Sequence, residues 1–144
     1  MYLLDTNVIS ELRKSQSKRA DPNVTAWAQG LDQETFFLST ITIHELEIGT
    51  LLKERRDPIQ GAIFREWLEM QVLLAFMGRI LPIDTQISLQ AARLHVPDPR
   101  PLQDAMIAAT ALVHGMTVVT RNVSDFARTG VRLLNPWEPV SYSL

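Results

Sequence analysis

Residues 104–126 read D-A-M-I-A-A-T-A-L-V-H-G-M-T-V-V-T-R-N-V-S-D-F, and the order of elements within this stretch decides the fold. Met106, Ile107, Ala111, Leu112 and Val113 recur at near-helical spacing, small Ala108, Ala109 and Thr110 lie between them, and Gly115 stands where a helix C-cap belongs. Such a helix can lie flat against a sheet. Met116 to Thr120 is short, apolar and β-branched, the pattern of a buried strand, and it runs into Thr120, Arg121 and Asn122 before reaching Asp125. One carboxylate opens the helix and another follows the strand. A tight link between helix and strand would bring Asp104 and Asp125, 21 residues apart, towards each other beyond one edge of the sheet.

The same alternation extends outward from this unit. Tyr2 to Leu4 is a brief apolar run ending at Asp5, and Thr6 to Lys14 follows with Val8, Ile9 and Leu12 on one helical face. Residues 15–23 read as a loop, Val24 to Leu31 as a short helix, and Phe36 to Leu38 as a second strand. Ser39 to Leu52 resumes helical spacing and ends in the basic cluster that begins at Lys53. After Asp57-Pro58, the positions Ile59, Ile63, Trp67, Met70, Leu74 and Met77 step by four and three, which predicts a long amphipathic helix with Gly78 as its stop; its stripe from Trp67 to Met77 is read as core, with an interface as the alternative. Ile80 to Ile83 is a third strand, Ile87, Ala91 and Leu94 mark another helix, and P-D-P-R-P at 97–101 must be a loop. Val131 to Leu134 is a last strand, before the turn-rich N-P-W-E-P. Strands that alternate with helices predict an α/β/α sandwich around a mainly parallel central sheet of about five short strands. In such sheets ligands sit beyond the carboxyl ends of the strands, where Asp5 and Asp125 fall by sequence and Glu45 can reach.

Composition sets bounds. With 144 residues, 46% hydrophobic and 21% charged, residues 1–144 are expected to form a single domain. There is no cysteine, hence no disulfide, thiolate metal site or cysteine nucleophile. No apolar run approaches the roughly 20 residues of a membrane span and the first residues lack the pattern of a signal peptide, so a cytoplasmic protein without membrane contact is expected. A net charge of −2 gives no global basic field. Any nucleic-acid contact must therefore use local patches, such as Lys14, Lys18 and Arg19, or Lys53, Arg55 and Arg56.

Each acid has a plain structural reading. Asp5 and Asp104 sit where helices begin and suit the macrodipole, Thr42-Ile43-His44-Glu45 matches a capping box, and Asp125 could cap a turn. Asp84 precedes T-Q-I-S as a helix cap would, and His44, His95 and His114 are scattered. Should Asp5, Glu45, Asp104 and Asp125 converge, their mutual repulsion would call for a cation. Oxygen-only ligands favour Mg²⁺ or Mn²⁺, ions suited to hydrolysing a phosphodiester with water.

Four segments in fixed order go further: D-T-N-V-I-S-E-L-R from Asp5, S-T-I-T-I-H-E-L-E-I-G from Ser39, L-Q-D-A-M-I-A-A-T-A from Leu102 and T-R-N-V-S-D-F from Thr120. Together they resemble the PIN-domain family, and more narrowly the VapC toxins of type II toxin-antitoxin systems in their FitB-like branch, a likeness shared by N-P-W at Asn135 to Trp137. The resemblance implies a PIN-like fold in which Asp5, Glu45, Asp104 and Asp125 form the acidic metal site for Mg²⁺ or Mn²⁺, supported by the polar residues Thr6, Asn7, Thr120 and Asn122. It also implies an endoribonuclease acting on structured RNA such as tRNA or rRNA and inhibiting translation. A homodimer and a cognate VapB- or FitA-like antitoxin are implied too, in a larger complex that carries operator DNA. Arg121, close to the site by sequence, is a candidate phosphate contact, with a solvated arginine as the equal alternative. P-D-P-R-P departs from the family, whose members more often carry a glycine-containing loop there, and this bears on the substrate groove.

Two other classes compete. Y-L-L-D-T-N-V resembles the opening of haloacid dehalogenase-type phosphotransferases, but Asn7 stands where their general acid belongs. A PIN-like module that binds RNA or a partner without cutting it, or a housekeeping PIN nuclease, remains the alternative.

Overall fold

The computed structural model describes residues 1–139, and their five strands form one sheet in the order β3-β2-β1-β4-β5. The strands are β1 Tyr2–Leu4, β2 Phe36–Ser39, β3 Ile80–Leu81, β4 Thr117–Val119 and β5 Arg132–Leu134. All four pairings are parallel, with Leu3 opposite Phe37 on one side and Val118 on the other. The chain builds outward from β1 through β2 to β3, then crosses back to place β4 on the free side of β1. That reversal makes the carboxyl ends of β1 and β4 the switch point, where the crossovers leave in opposite directions and open a crevice.

Among the described residues six α-helices cover the sheet: α1 Thr6–Arg13, α2 Pro22–Gln29, α3 Thr40–Arg56, α4 Pro58–Glu66, α5 Thr85–Arg93 and α6 Leu102–His114. Capping fixes several starts. Asp21 accepts hydrogen bonds from Asn23 N and Val24 N ahead of Pro22, Ser39 accepts from Ile41 N, and Asp84 accepts from Ile87 N, as expected of it. Gly115, with φ of 66°, ends α6 in the left-handed conformation that glycine adopts without strain.

Alternate strand residues feed two cores. Leu4, Phe36, Leu38 and Val119 pack with Val8, Ile9, Leu46, Leu68 and Val72 on one face. Leu3 and Val118 pack with Ile107, Ala108, Ala111 and Phe126 on the other, and α5 adds Ile87 and Ala91 against Ala105 and Ala109. The result is the expected sandwich of helices, sheet and helices. Alanines let α6 approach closely, and burial of each large aliphatic side chain contributes about 1.5–3 kcal/mol. At the amino edge of the sheet Trp27 stacks on Phe36 at 5.2 Å and meets Tyr2 edge-on at 5.5 Å, so the apolar end lies opposite the acidic one.

Two expectations need correction. The stripe from Trp67 to Met77 is not the core face, since Met70, Leu74 and Met77 are exposed, like Ile59 and Ile63 before them, and Trp67 is half-buried. The buried line is Gly61, Leu68, Val72 and Phe76. The contact of α4 with α3 runs through Gly61, where a Cβ would lie 2.3 Å from the Glu54 Cα. The helix is also wound as a π-helix over Trp67–Leu73, so steps of three and four no longer mark one side. The capping box is likewise displaced: Ser39 is the cap of α3, while Thr42 is buried inside the helix with its hydroxyl unpartnered.

Arg65 of α4 secures the same helix pair, donating to Glu47 Oε1 and Oε2 at 2.8 and 2.7 Å and to Glu54 Oε1 at 2.8 Å. Gly61→Ala, usually favourable in a helix, is expected to lower stability by about 1–3 kcal/mol because the obstructing atom is backbone. The measurement is thermal unfolding: the melting temperature falls by several degrees, whereas an unchanged or raised value would show that the two helices can part at little cost.

Candidate active site

Asp5 leaves the end of β1 and caps α1, and its main-chain N–H donates to Val119 O of β4 at 2.9 Å. Both carboxylate oxygens are engaged. Oδ1 accepts from Thr6 N at 2.9 Å, and Oδ2 accepts from the Thr120 hydroxyl at 2.8 Å and from Asn7 Nδ2 at 3.3 Å. Thr120 Oγ1 in turn accepts from Asn122 N at 3.0 Å and Asn7 Nδ2 at 3.4 Å, while Asn7 Oδ1 accepts from Arg121 N at 3.2 Å. Thr6, Asn7, Thr120 and Asn122 thus join the ends of β1 and β4 around one carboxylate.

The other acids arrive from three further elements. Glu45 lies in the second turn of α3, Asp104 in the first turn of α6, and Asp125 in the 3-10 turn Val123–Phe126 after β4. With Asp5 they line a single open cavity of ≈ 430 Å³, together with Thr6, Asn7 and Asn122. Gln103 and Ile107 complete the wall; neither was expected in the site from sequence, where Ile107 is read only as a helix position, although both flank Asp104 on α6, one beside it and one a turn later. No Lys or Arg is among the lining residues. Asp84 stays with its helix cap, outside the cavity.

Burial and like charge act on these groups together. Burial, and to a smaller degree the charge of Asp125, raise the Asp5 pKa against the lowering effect of the Thr120 and Thr6 hydrogen bonds. Glu45 is raised by burial, then by Asp5 and Asp104, and Asp104 by burial, then by Asp125 and Asp5, with Arg100 opposing. The Thr6 hydroxyl leans towards Glu45 enough to favour its ionised form, yet it falls short of a formed hydrogen bond and stays buried without a partner.

The cavity suits a hard cation by its chemistry. Its donors are carboxylate, amide and hydroxyl oxygens, and the acids resist full ionisation unless positive charge is added. As they stand, no three His, Asp or Glu side chains among the described residues are grouped so as to hold a metal ion. The acids face a common space without closing on one point. Arg121 does not line the cavity; its guanidinium lies over the Trp137 ring, 5.3 Å from the centroid.

A family profile for the PIN domain matches residues 2–131. The chain is 42% identical over 144 residues to the VapC ribonuclease Y4jK of Sinorhizobium fredii, covering 96% of this chain and 99% of that protein. It is 38% identical to the toxin FitB of Neisseria gonorrhoeae, with 95% and 99% covered. The structure of FitAB bound to an IR36 DNA fragment superposes with a TM-score of 0.85 at 34% identity, over 99% of this chain and all of that one. The chain therefore belongs to the PIN-domain family and is homologous to the VapC/FitB-type toxins of toxin-antitoxin systems.

Proposed function

We propose that the chain is a Mg²⁺- or Mn²⁺-dependent endoribonuclease, the toxin of a type II toxin-antitoxin pair, which hydrolyses structured RNA such as tRNA or rRNA and so inhibits translation. The observation that carries this reading is the convergence of Asp5, Glu45, Asp104 and Asp125, from four separate elements, on one cavity with no cationic side chain in its wall. Asp5, Glu45, Asp104 and Asp125 would hold the ion, which supplies charge neutralisation at a phosphate and a lowered pKa for attacking water. Asp5 is already oriented by Thr6, Asn7 and Thr120. Glu45, Asp104 and Asp125 have no formed side-chain hydrogen bond among the described residues, so they can turn inward when a cation relieves their repulsion. Water as nucleophile leaves 5'-phosphate and 3'-hydroxyl ends and spares the 2'-OH.

The partners follow from the same kinship. We propose a homodimer bound by a FitA- or VapB-like antitoxin, which blocks the acidic cavity and carries the assembly to operator DNA, by analogy with the DNA-bound FitAB complex. Exposed apolar side chains on α3 and α4, Ile59 at 77% among them, support a chain that works within an assembly. No described helix is long and apolar enough to cross a membrane, and we place the activity in the cytoplasm, where tRNA and rRNA are found.

Five measurements test this reading. Asp104→Asn should reduce RNA cleavage by more than the roughly 10–100-fold that loss of a supporting partner costs a metal site, and should abolish growth arrest. The same change should raise the melting temperature of the metal-free protein. A carboxyl whose folded pKa is raised opposes folding when ionised, and a neutral amide removes that opposition. Undiminished cleavage by this variant would remove Asp104 from the chemistry and leave a non-cleaving binding module as the better account.

Mn²⁺ affinity, followed by electron paramagnetic resonance, should fall with pH and do so from a higher pH than ordinary carboxylates dictate, because Asp5, Glu45 and Asp104 all take up protons early. Affinity that holds constant down to the ordinary carboxylate range would contradict a site built from these acids. Mapping RNA ends after brief induction should find 5'-phosphates; a 2',3'-cyclic phosphate would exclude direct attack by water.

A further inference from the structure

A phosphate entering an acidic cavity brings more negative charge to a site that already repels itself, so a cation at the rim is needed beside any ion within. Most of the chain's basic groups are committed elsewhere. Lys14 and Lys53, with their basic neighbours, stand at the far ends of α1 and α3, roughly 12 Å of helix from the acids near the start of each. Arg65 is held by Glu47 and Glu54, Arg79 is bonded to the carbonyls of Gln33, Phe36 and Ala75, and Arg121 lies on Trp137.

Arg100 differs from these in its place in the fold, although like Arg79 it is bonded to carbonyls. It belongs to the P-D-P-R-P loop that delivers the chain into α6, four residues before Asp104. Its Nε donates to Leu94 O at 2.8 Å and its Nη1 to Ala127 O at 3.1 Å, so the head group spans the seam between the end of α5 and the turn that carries Asp125. Two neutral carbonyls fix the guanidinium plane without cancelling its charge, and among the described residues no carboxylate forms an ion pair with it. A guanidinium has five N–H donors, so most remain available. It lies between segments that carry two of the acids, because Ala127 is two residues past Asp125 and Arg100 itself is four residues before Asp104. A tie between two carbonyls requires no charge, and a neutral amide would serve. A planar cationic fork beside the acids is the group that matches a phosphate.

We propose that Arg100 is a substrate-binding residue, engaging a backbone phosphate of RNA at the rim of the cavity beside Asp104. This rests on the nuclease reading above and adds to it the residue that receives the polyanion. The proline-rich loop is then the device that holds the guanidinium against the seam, off the carboxylates.

The test compares the parent with Arg100→Gln and Arg100→Lys, using total cellular RNA as substrate, cleavage at the mapped ends as one readout and Mn²⁺ binding to the protein alone as the other. Loss of one charge-assisted contact should raise KM for Arg100→Gln roughly tenfold, with a much smaller change in kcat. It should also flatten the dependence of log affinity on log salt by roughly 0.7–0.9. Mn²⁺ affinity should stay at the parent's value. Arg100→Lys, which keeps the charge but cannot hold both carbonyls and still present a fork, should give an intermediate KM; it carries the test if the glutamine variant does not fold. A kcat that falls with KM unchanged, or weakened Mn²⁺ binding, would make Arg100 a support for the acids and overturn the assignment. A parental KM and salt slope in both variants would overturn it as well. A parent that neither binds nor cleaves RNA removes the nuclease reading itself, an outcome distinct from a cleaving parent whose variants match it.

Discussion

Carboxylates gathered at the mouth of a parallel sheet repel one another, and much of the structure is what holds them there. Burial raises the pKa of Asp5, Glu45 and Asp104, and the nearby acids raise it further, so the site stands against the chain's own stability until positive charge enters. The sheet supplies the restraint. Because β1 and β4 are adjacent and parallel, with Leu4 opposite Val119, the residues that follow them, Asp5 and Thr120, emerge side by side and bond at 2.8 Å. One acid is thereby fixed by hydrogen bonds, while the side chains of Glu45, Asp104 and Asp125 form none among the described residues.

Charge is segregated along the helices for a related reason. Helices that follow parallel strands run back from the carboxyl edge, so Asp5 and Glu45 lie near the starts of α1 and α3, and basic residues collect at their ends, where the macrodipole favours them. There Arg13 sits 4.2 Å above the Phe64 ring and Lys53 5.7 Å from its centre. The basic patches conspicuous in the sequence therefore belong to the edge away from the cavity, while Arg100, on the loop between α5 and α6, bonds Ala127 just past the turn that carries Asp125.

The helix pair α3 and α4 shows how a packing constraint overrides periodicity. Gly61 brings the α4 backbone against Glu54, Arg65 reaches back to two glutamates of α3, and the helix then widens over Trp67–Leu73. Those contacts choose the buried face. The more regular stripe of Ile59, Ile63, Met70 and Met77 is turned to solvent, where it suits contact with other chains.

The sequence by itself determined the order of strands and helices and the parallel sheet, and its resemblance to a family pointed to most of the polar residues that line the cavity, though not to Gln103. Each of those signals is local: β-branched runs, a capping aspartate, or a glycine in the left-handed conformation after His114. Asp5 also shows that the plain and the chemical readings of a residue need not compete, since it caps α1 with one oxygen and meets Thr120 with the other. Tertiary structure alone decided which face of α4 is buried, that Ser39 rather than Thr42 caps α3, that Arg121 rests on Trp137, and that Arg100 spans from Leu94 to Ala127. These outcomes depend on contacts between segments distant in the chain or on competition between equally good local partners. Spacing along one helix or loop carries no record of either.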